Sequence, residues 1–210
     1  KIVNELEGYA EVVSEMELNL AKRIGCCTDR IVWNGPVKSV SVMEQFLLEG
    51  GTVNIDSREE LEEIKRIHNC HSDILINVGI RCNYDVNDGV TSRFGFDIAS
   101  DDFKEAVSFA TQTKNVKLIN FQCNFAKRQI EYWRARAEGM VRIMDRLGII
   151  PERIDIGGGM YGKMPESLRS QFATDIPDYQ TYAEVAAKVF ADYFADKDVM
   201  PELLIEPGTA

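Results

Sequence analysis

The chain has 210 residues, 45% hydrophobic and 28% charged, with 34 acidic residues against 24 basic ones and a formal net charge of −10. That is the profile of a soluble globular chain holding one domain or most of one, and the acidic balance without any basic cluster argues against a nucleic-acid footprint. No apolar run approaches the roughly 20 residues that span a bilayer, the start lacks the pattern of a signal peptide, and five cysteines without a C-x-x-C pair fit reduced thiols in the cytoplasm.

Lys1–Gly8 places Ile2, Val3 and Leu6 at helical spacing and ends in glycine, which predicts a helix closing on a glycine cap. A β-branched run at Ala10–Val13 then meets Ser14-Glu15-Met16-Glu17, a capping-box pattern that opens a helix over Ser14–Ile24. The alternation continues with a strand at Arg30–Asn34, a helix at Ser39–Glu49 and a strand at Thr52–Ile55. Ser57-Arg58-Glu59-Glu60 is a second capping box and opens Ser57–His68. At the end of that helix His68-Asn69-Cys70-His71 offers three potential ligands, but no second cluster completes a zinc shell, so a polar helix terminus is expected and no metal.

Further on, strands are expected at Ile74–Arg81, Lys117–Cys123, Arg153–Ile156 and Leu203–Glu206, with helices at Asp102–Thr113, Gln129–Leu147 and Tyr179–Ala195. Strands alternating with helices imply βα units around a parallel sheet. The chain starts without methionine and stops just after Glu206-Pro207-Gly208, so both ends are expected to be cuts in a longer protein. The first helix should follow a strand outside the chain; with the seven inside, that makes eight, the count of a closed barrel. The expected fold is an α/β (β/α)8 barrel lacking its first strand in this chain, with residues 1–210 as one partial domain. A doubly wound sheet ranks lower, because no G-x-G-x-x-G follows an early strand.

In a barrel the carboxyl ends of the strands line the site. Here they are polar or glycine: Glu11 and Ser14, Asn34-Gly35, Asp56-Ser57, Arg81-Cys82-Asn83, Gln122-Cys123-Asn124, Gly157-Gly158-Gly159 and Glu206-Pro207-Gly208. Helix capping accounts for Ser14 and Ser57. A flexible turn would need one or two glycines, whereas three in succession let bare N–H groups converge on a phosphate. Lys38, Lys127 and Lys163 read as solvated surface lysines.

The order Tyr9-Ala10-Glu11-Val12-Val13-Ser14, Asn34-Gly35-Pro36-Val37-Lys38-Ser39, Asn54-Ile55-Asp56-Ser57, Arg81-Cys82-Asn83, Ser92-Arg93-Phe94-Gly95-Phe96, Asp155-Ile156-Gly157-Gly158-Gly159 and Glu206-Pro207-Gly208 resembles the pyridoxal-phosphate-dependent diaminopimelate and ornithine decarboxylases. These share the alanine-racemase-like TIM barrel, and the resemblance runs the length of the chain. It implies pyridoxal 5'-phosphate as cofactor, with Gly157, Gly158 and Gly159 at its phosphate. Glu206 would act as the catalytic group that pairs with the pyridine nitrogen, while Glu11, Arg81 and Asn124 would lie around the ring. Gly208 and Thr209 follow as further cofactor contacts, Thr209 standing where many relatives have arginine. Asn124 and Gln122 stand where relatives usually carry histidines. The Schiff-base lysine and a C-terminal β domain would lie outside the chain, and the active form would be a homodimer sharing its sites.

The implied reaction is decarboxylation of a small basic or diamino amino acid, diaminopimelate first and a carboxynorspermidine- or ornithine-type polyamine precursor second. A racemase or lyase on the same barrel, and a non-catalytic relative, stay open. No nucleic acid and no membrane partner is expected.

Overall fold

The computed structural model describes residues 2–172 and 176–207. A short helix α1 (Ile2–Glu5) leads into β1 (Ala10–Val12), α2 (Glu15–Arg23), β2 (Ile31–Trp33), α3 (Val40–Leu48), β3 (Thr52–Ile55) and α4 (Arg58–Cys70). There follow β4 (Ile76–Asn83), a two-residue β5 (Phe96–Asp97), α5 (Asp101–Gln112), β6 (Val116–Phe125), α6 (Ile130–Leu147) and β7 (Arg153–Gly158). The last part holds α7 (Glu166–Arg169), α8 (Tyr179–Tyr182), α9 (Lys188–Phe194) and β8 (Glu202–Ile205).

The seven main strands pair in parallel in the order β1-β2-β3-β4-β6-β7-β8, and β5 attaches to the end of β4. The result is a curled, open α/β barrel. At the amino-terminal rim Tyr9 Oη donates to Glu202 Oε2 at 2.8 Å, so the edge strands approach each other without backbone pairing among the described residues. Between them lies a cavity of about 450 Å³ bordered by Tyr9, Glu11, Asp155, Leu204 and Glu206.

Alternation along each strand builds two layers. Ile31 and Trp33, Val53 and Ile55, Val78 and Ile80, Phe121 and Cys123, and Ile154 and Ile156 belong to one apolar core with Leu18, Phe46, Ile64, Phe103, Trp133 and Met140 of the helices. Residues of the opposite parity, Asn54, Asn120, Gln122 and Asp155, are equally buried but polar, and they fill the barrel interior. The capping boxes form with one difference. Ser14 and Ser57 accept from Glu17 N and Glu60 N at 3.3 Å, but each glutamate reaches back to the residue before the cap, Val13 N at 2.7 Å and Asp56 N at 2.8 Å. The helix end is thereby tied to the strand end that precedes it.

Several expectations need correction. The left-handed residue after α1 is Glu7 (φ 57°), and Gly8 follows it, donating to Val3 O at 2.8 Å. The strands β4, β6 and β7 each run two residues past their expected ends. The helix expected over Tyr179–Ala195 is interrupted by a π turn at Ala183–Ala187. The end of α4 needs no correction: it is a polar helix terminus, with His68 Nε2 2.9 Å from Lys114 O and His71 Nε2 2.8 Å from Glu44 Oε1.

Lys38 is not a surface lysine. Its side chain is 0% exposed, and Nζ donates to Gly35 O (2.8 Å), Asn54 O (3.0 Å) and the Glu60 carboxylate (2.8 and 2.9 Å), locking β2, β3 and α4 together beneath the barrel mouth. Such an ion pair survives burial because every donor has a partner.

Candidate active site

The site is centred on Glu206, the residue after β8. Its carboxylate accepts from Asn34 Nδ2 at 2.6 Å, Gln122 Nε2 at 3.3 Å and Asn124 Nδ2 at 3.2 Å. Asn54 Nδ2 donates to Asn34 Oδ1, which turns the Asn34 amide so that its N–H group faces the carboxylate. Gln122 and Asn124 sit two apart on β6 and so present to the same face. The amides at the positions where histidines were expected thus act as donors to Glu206.

Glu206 fits there only because β7 lacks side chains. A Cβ on Gly157 would overlap the Glu206 carboxylate, and one on Gly158, whose φ is 106°, would overlap the carbonyl oxygen of Phe125. The three glycines are therefore not a loose loop. Gly157 pairs with Asn124 and Gly158 with Phe125 as strand, and the Gly159 N–H is used within the sheet, donating to Phe125 O at 3.2 Å. What the glycines provide is close approach of the backbone to the interior, with the chain turning away after Gly159.

Helix α6 holds this strand end from outside. Arg136, fully buried, donates to Gly157 O (3.2 Å), Phe125 O (2.8 Å) and Lys127 O, and its guanidinium lies 4.6 Å from the Trp133 ring centroid. Trp133 Nε1 donates to Gly159 O at 2.9 Å. Tyr182 Oη donates to Arg128 O at 2.6 Å and accepts from Tyr161 N at 3.2 Å, which fixes the chain on both sides of the glycines. None of these was expected from the sequence. An arginine on the apolar face of an amphipathic helix, one turn after a tryptophan, is the signal that could have found Arg136 and Trp133.

Three carboxyls lie close together, Asp155 buried, Glu206 half-buried and Glu11 exposed on the edge strand. Burial and the neighbouring charge of Glu206 push Glu11 up to about 7, against a hydrogen bond from Asn34, even though Glu11 keeps part of its surface open toward the gap between β1 and β8. Asp155, 1% exposed, is driven well above the usual carboxylate range by burial first and by Glu206 second. Neither of its oxygens has a hydrogen-bond partner at ordinary geometry among the described residues. A buried acid in that position holds its proton.

Glu11, Asn124, Gly158, Gly159 and Glu206 border one cavity of about 320 Å³ together with Arg128 and Met160, and Gly157 lies beside it under Glu206. Arg81 is placed elsewhere. It pairs with Asp56 at 2.8 Å, stacks 5.1 Å from the Phe94 ring, and borders an adjoining cavity of about 470 Å³ that meets the first at Asn124. Gly208 and Thr209 lie outside the described residues.

A curled parallel barrel with a glycine-ended strand beside an interior carboxylate defines a cofactor-binding barrel. The chain belongs to the pyridoxal-dependent decarboxylases, matching the family's pyridoxal-binding domain over residues 2–210. It is 29% identical to the diaminopimelate decarboxylase of Actinosynnema pretiosum, over 95% of this chain and 46% of that protein. With the diaminopimelate decarboxylase of Aquifex aeolicus the identity is 26%, over 99% of this chain and 50% of that one. Among solved structures, that of diaminopimelate decarboxylase from Methanocaldococcus jannaschii in complex with L-lysine matches with a TM-score of 0.79 and 25% identity, over 98% of this chain and 49% of that chain. The chain spans about half the length of the relatives it matches. Among the described residues no helix is long and apolar enough to cross a membrane.

Proposed function

We propose that this chain is the cofactor-binding part of a pyridoxal-phosphate-dependent amino-acid decarboxylase acting on a small basic or diamino amino acid, with diaminopimelate as first choice. The observation that carries the reading is Glu206, gripped by three amides at the barrel mouth in space that Gly157 leaves free. The family supports the cofactor, and the diaminopimelate decarboxylases among the relatives support the substrate class. The Methanocaldococcus jannaschii protein binds L-lysine, which is what diaminopimelate becomes on losing carbon dioxide.

When bound, pyridoxal phosphate supplies an electron-poor ring that accepts the electron pair left behind by departing carbon dioxide. Glu206 would hold a proton at the ring nitrogen, its position set by Asn34, Gln122 and Asn124. Gly157, Gly158 and Gly159 would lie at the phosphate, with Gly208 and Thr209 as further contacts to the cofactor. Asn124 would lie against the ring as a flat amide, Arg81 would sit at its margin through Asp56, and Glu11, titrating near neutrality, could give or take a proton beside it. The lysine that links the cofactor would come from a strand fitting between β8 and β1. A cytoplasmic homodimer with shared sites, and a further β domain, complete the proposal.

The test is carbon dioxide release by the full-length protein supplied with pyridoxal phosphate, comparing diaminopimelate with ornithine and arginine. Diaminopimelate should be consumed fastest with lysine as product, and Gly158→Asp should abolish the absorbance of bound cofactor. No release from any basic or diamino acid would sink the proposal.

A further inference from the structure

We propose that Arg128 is the cation that holds the cofactor's phosphate, an inference that rests on the function proposed above. Arg128 borders the 320 Å³ cavity shared by Glu11, Asn124, Gly158, Gly159 and Glu206. Its guanidinium stands 5.8 Å from the Tyr161 ring centroid and donates to no carboxylate or carbonyl among the described residues. Arg136, its neighbour on the same sector, is the opposite case, with both terminal nitrogens donating to backbone carbonyls.

The position of Arg128 is fixed from both ends. Its carbonyl accepts from Tyr182 Oη at 2.6 Å, and its Cγ sits 2.6 Å from where a Cβ of Gly159 would be, so the side chain packs on the bare Gly159 backbone. Glu206 packs on Gly157 in the same way. Gly157 and Gly159 are two residue steps apart, about 7 Å along a strand. The cavity is therefore polarised, with carboxylates at the Gly157 end and, at the Gly159 end, a guanidinium that no acceptor among the described residues takes up. A ligand with a protonated ring nitrogen at one end and a dianion at the other fits that field in one orientation only.

Because the Gly159 N–H is taken by Phe125 O, the backbone alone offers fewer donors than three free glycines would. An arginine fork supplies the missing donors and the charge in one group. A substrate carboxylate is the other anion of this size, but Arg128 borders the cavity together with Gly158 and Gly159, where the function proposed above puts the phosphate.

The test compares pyridoxal phosphate with pyridoxal, which lacks the phosphate, by equilibrium binding to the full-length apoprotein. Arg128→Gln should weaken pyridoxal phosphate about 10- to 100-fold, the loss expected for a charged hydrogen-bonding partner, and leave pyridoxal unchanged. Arg128→Lys should recover part of the loss, and Lys163→Gln should have no effect. Inorganic phosphate should compete with pyridoxal phosphate in the wild type and lose that effect in Arg128→Gln. Equal weakening of both ligands would reduce Arg128 to a packing residue, and unchanged affinity for pyridoxal phosphate would assign it to the substrate carboxylate or to neither; each overturns the inference while leaving the proposed function standing. A wild type that binds no pyridoxal phosphate would instead remove the function and this assignment with it.

Discussion

At the carboxyl ends of β6 and β7, four main-chain carbonyls meet side chains of α6, whereas β1 and β8 each pair on one side only among the described residues and face a cavity between them. The first sector is rigid for a definable reason: Arg136 and Trp133 are fully buried and donate to the carbonyls they meet. At the second, the polar groups lack such support. Asp155 has no hydrogen-bond partner at ordinary geometry among the described residues, Glu11 is lifted to about 7, and on the outer face of α2 Met16 and Leu20 are 77% and 55% exposed, with Ile24 at the helix end 53% exposed. The contrast shows where the chain organises a site by itself and where the site depends on what meets the edges.

Breaking the rigid sector should have the largest effect. Arg136→Met removes the guanidinium from Gly157 O and Lys127 O and one of the two donors from Phe125 O, and urea unfolding should show a loss of roughly 3–5 kcal/mol. A loss below about 1 kcal/mol would mean that water replaces the guanidinium and that α6 does not clamp the glycines. Gly158→Ala comes next. A Cβ at φ 106° meets the Phe125 carbonyl, so destabilisation of roughly 2–3 kcal/mol is expected, with weaker binding of pyridoxal phosphate. Wild-type stability in that variant would show that β7 can rotate away at little cost.

The edge sector is tested by pH. The unfolded chain releases the Glu11 proton near 4.5 and the native chain near 7, so the native state binds more protons between those values and stability falls as pH rises through that window. Asp155 contributes with the same sign. Glu11→Gln should therefore shrink the drop in urea midpoint between about pH 5 and about pH 8 without removing it. An unaltered slope would mean that Glu11 is solvated in the full-length protein. The smallest effect is expected for Leu20→Gln on the open face of α2, within about 0.5 kcal/mol; a larger loss would show that another part of the protein covers that face.

Much of the site was legible in the sequence, and the reason is local. Strand ends are marked by a change from β-branched residues to polar ones and glycine, which singles out Glu11, Asn124, Gly157–Gly159 and Glu206 by pattern, and alternation alone puts Gln122 with Asn124. Lys38 reads as a surface residue because a lysine in a loop normally meets water; its burial follows from Glu60, 22 residues away on α4, reaching the same point. Arg128, Arg136 and Trp133 escaped for the same reason, since their importance comes from groups on neighbouring strands.

The sequence by itself determined the order of βα units, the two capping boxes and the glycine-ended strand, because these depend on spacing and backbone freedom over a few residues. Only the tertiary structure decided that Glu206 is held by Asn34, Gln122 and Asn124, that Arg81 turns to Asp56 instead, and that Arg128 borders the same cavity as Glu206. Those outcomes require strands far apart in the chain to meet at one rim, as Asn34 and Glu206 do across 172 residues, and no local pattern encodes such a meeting.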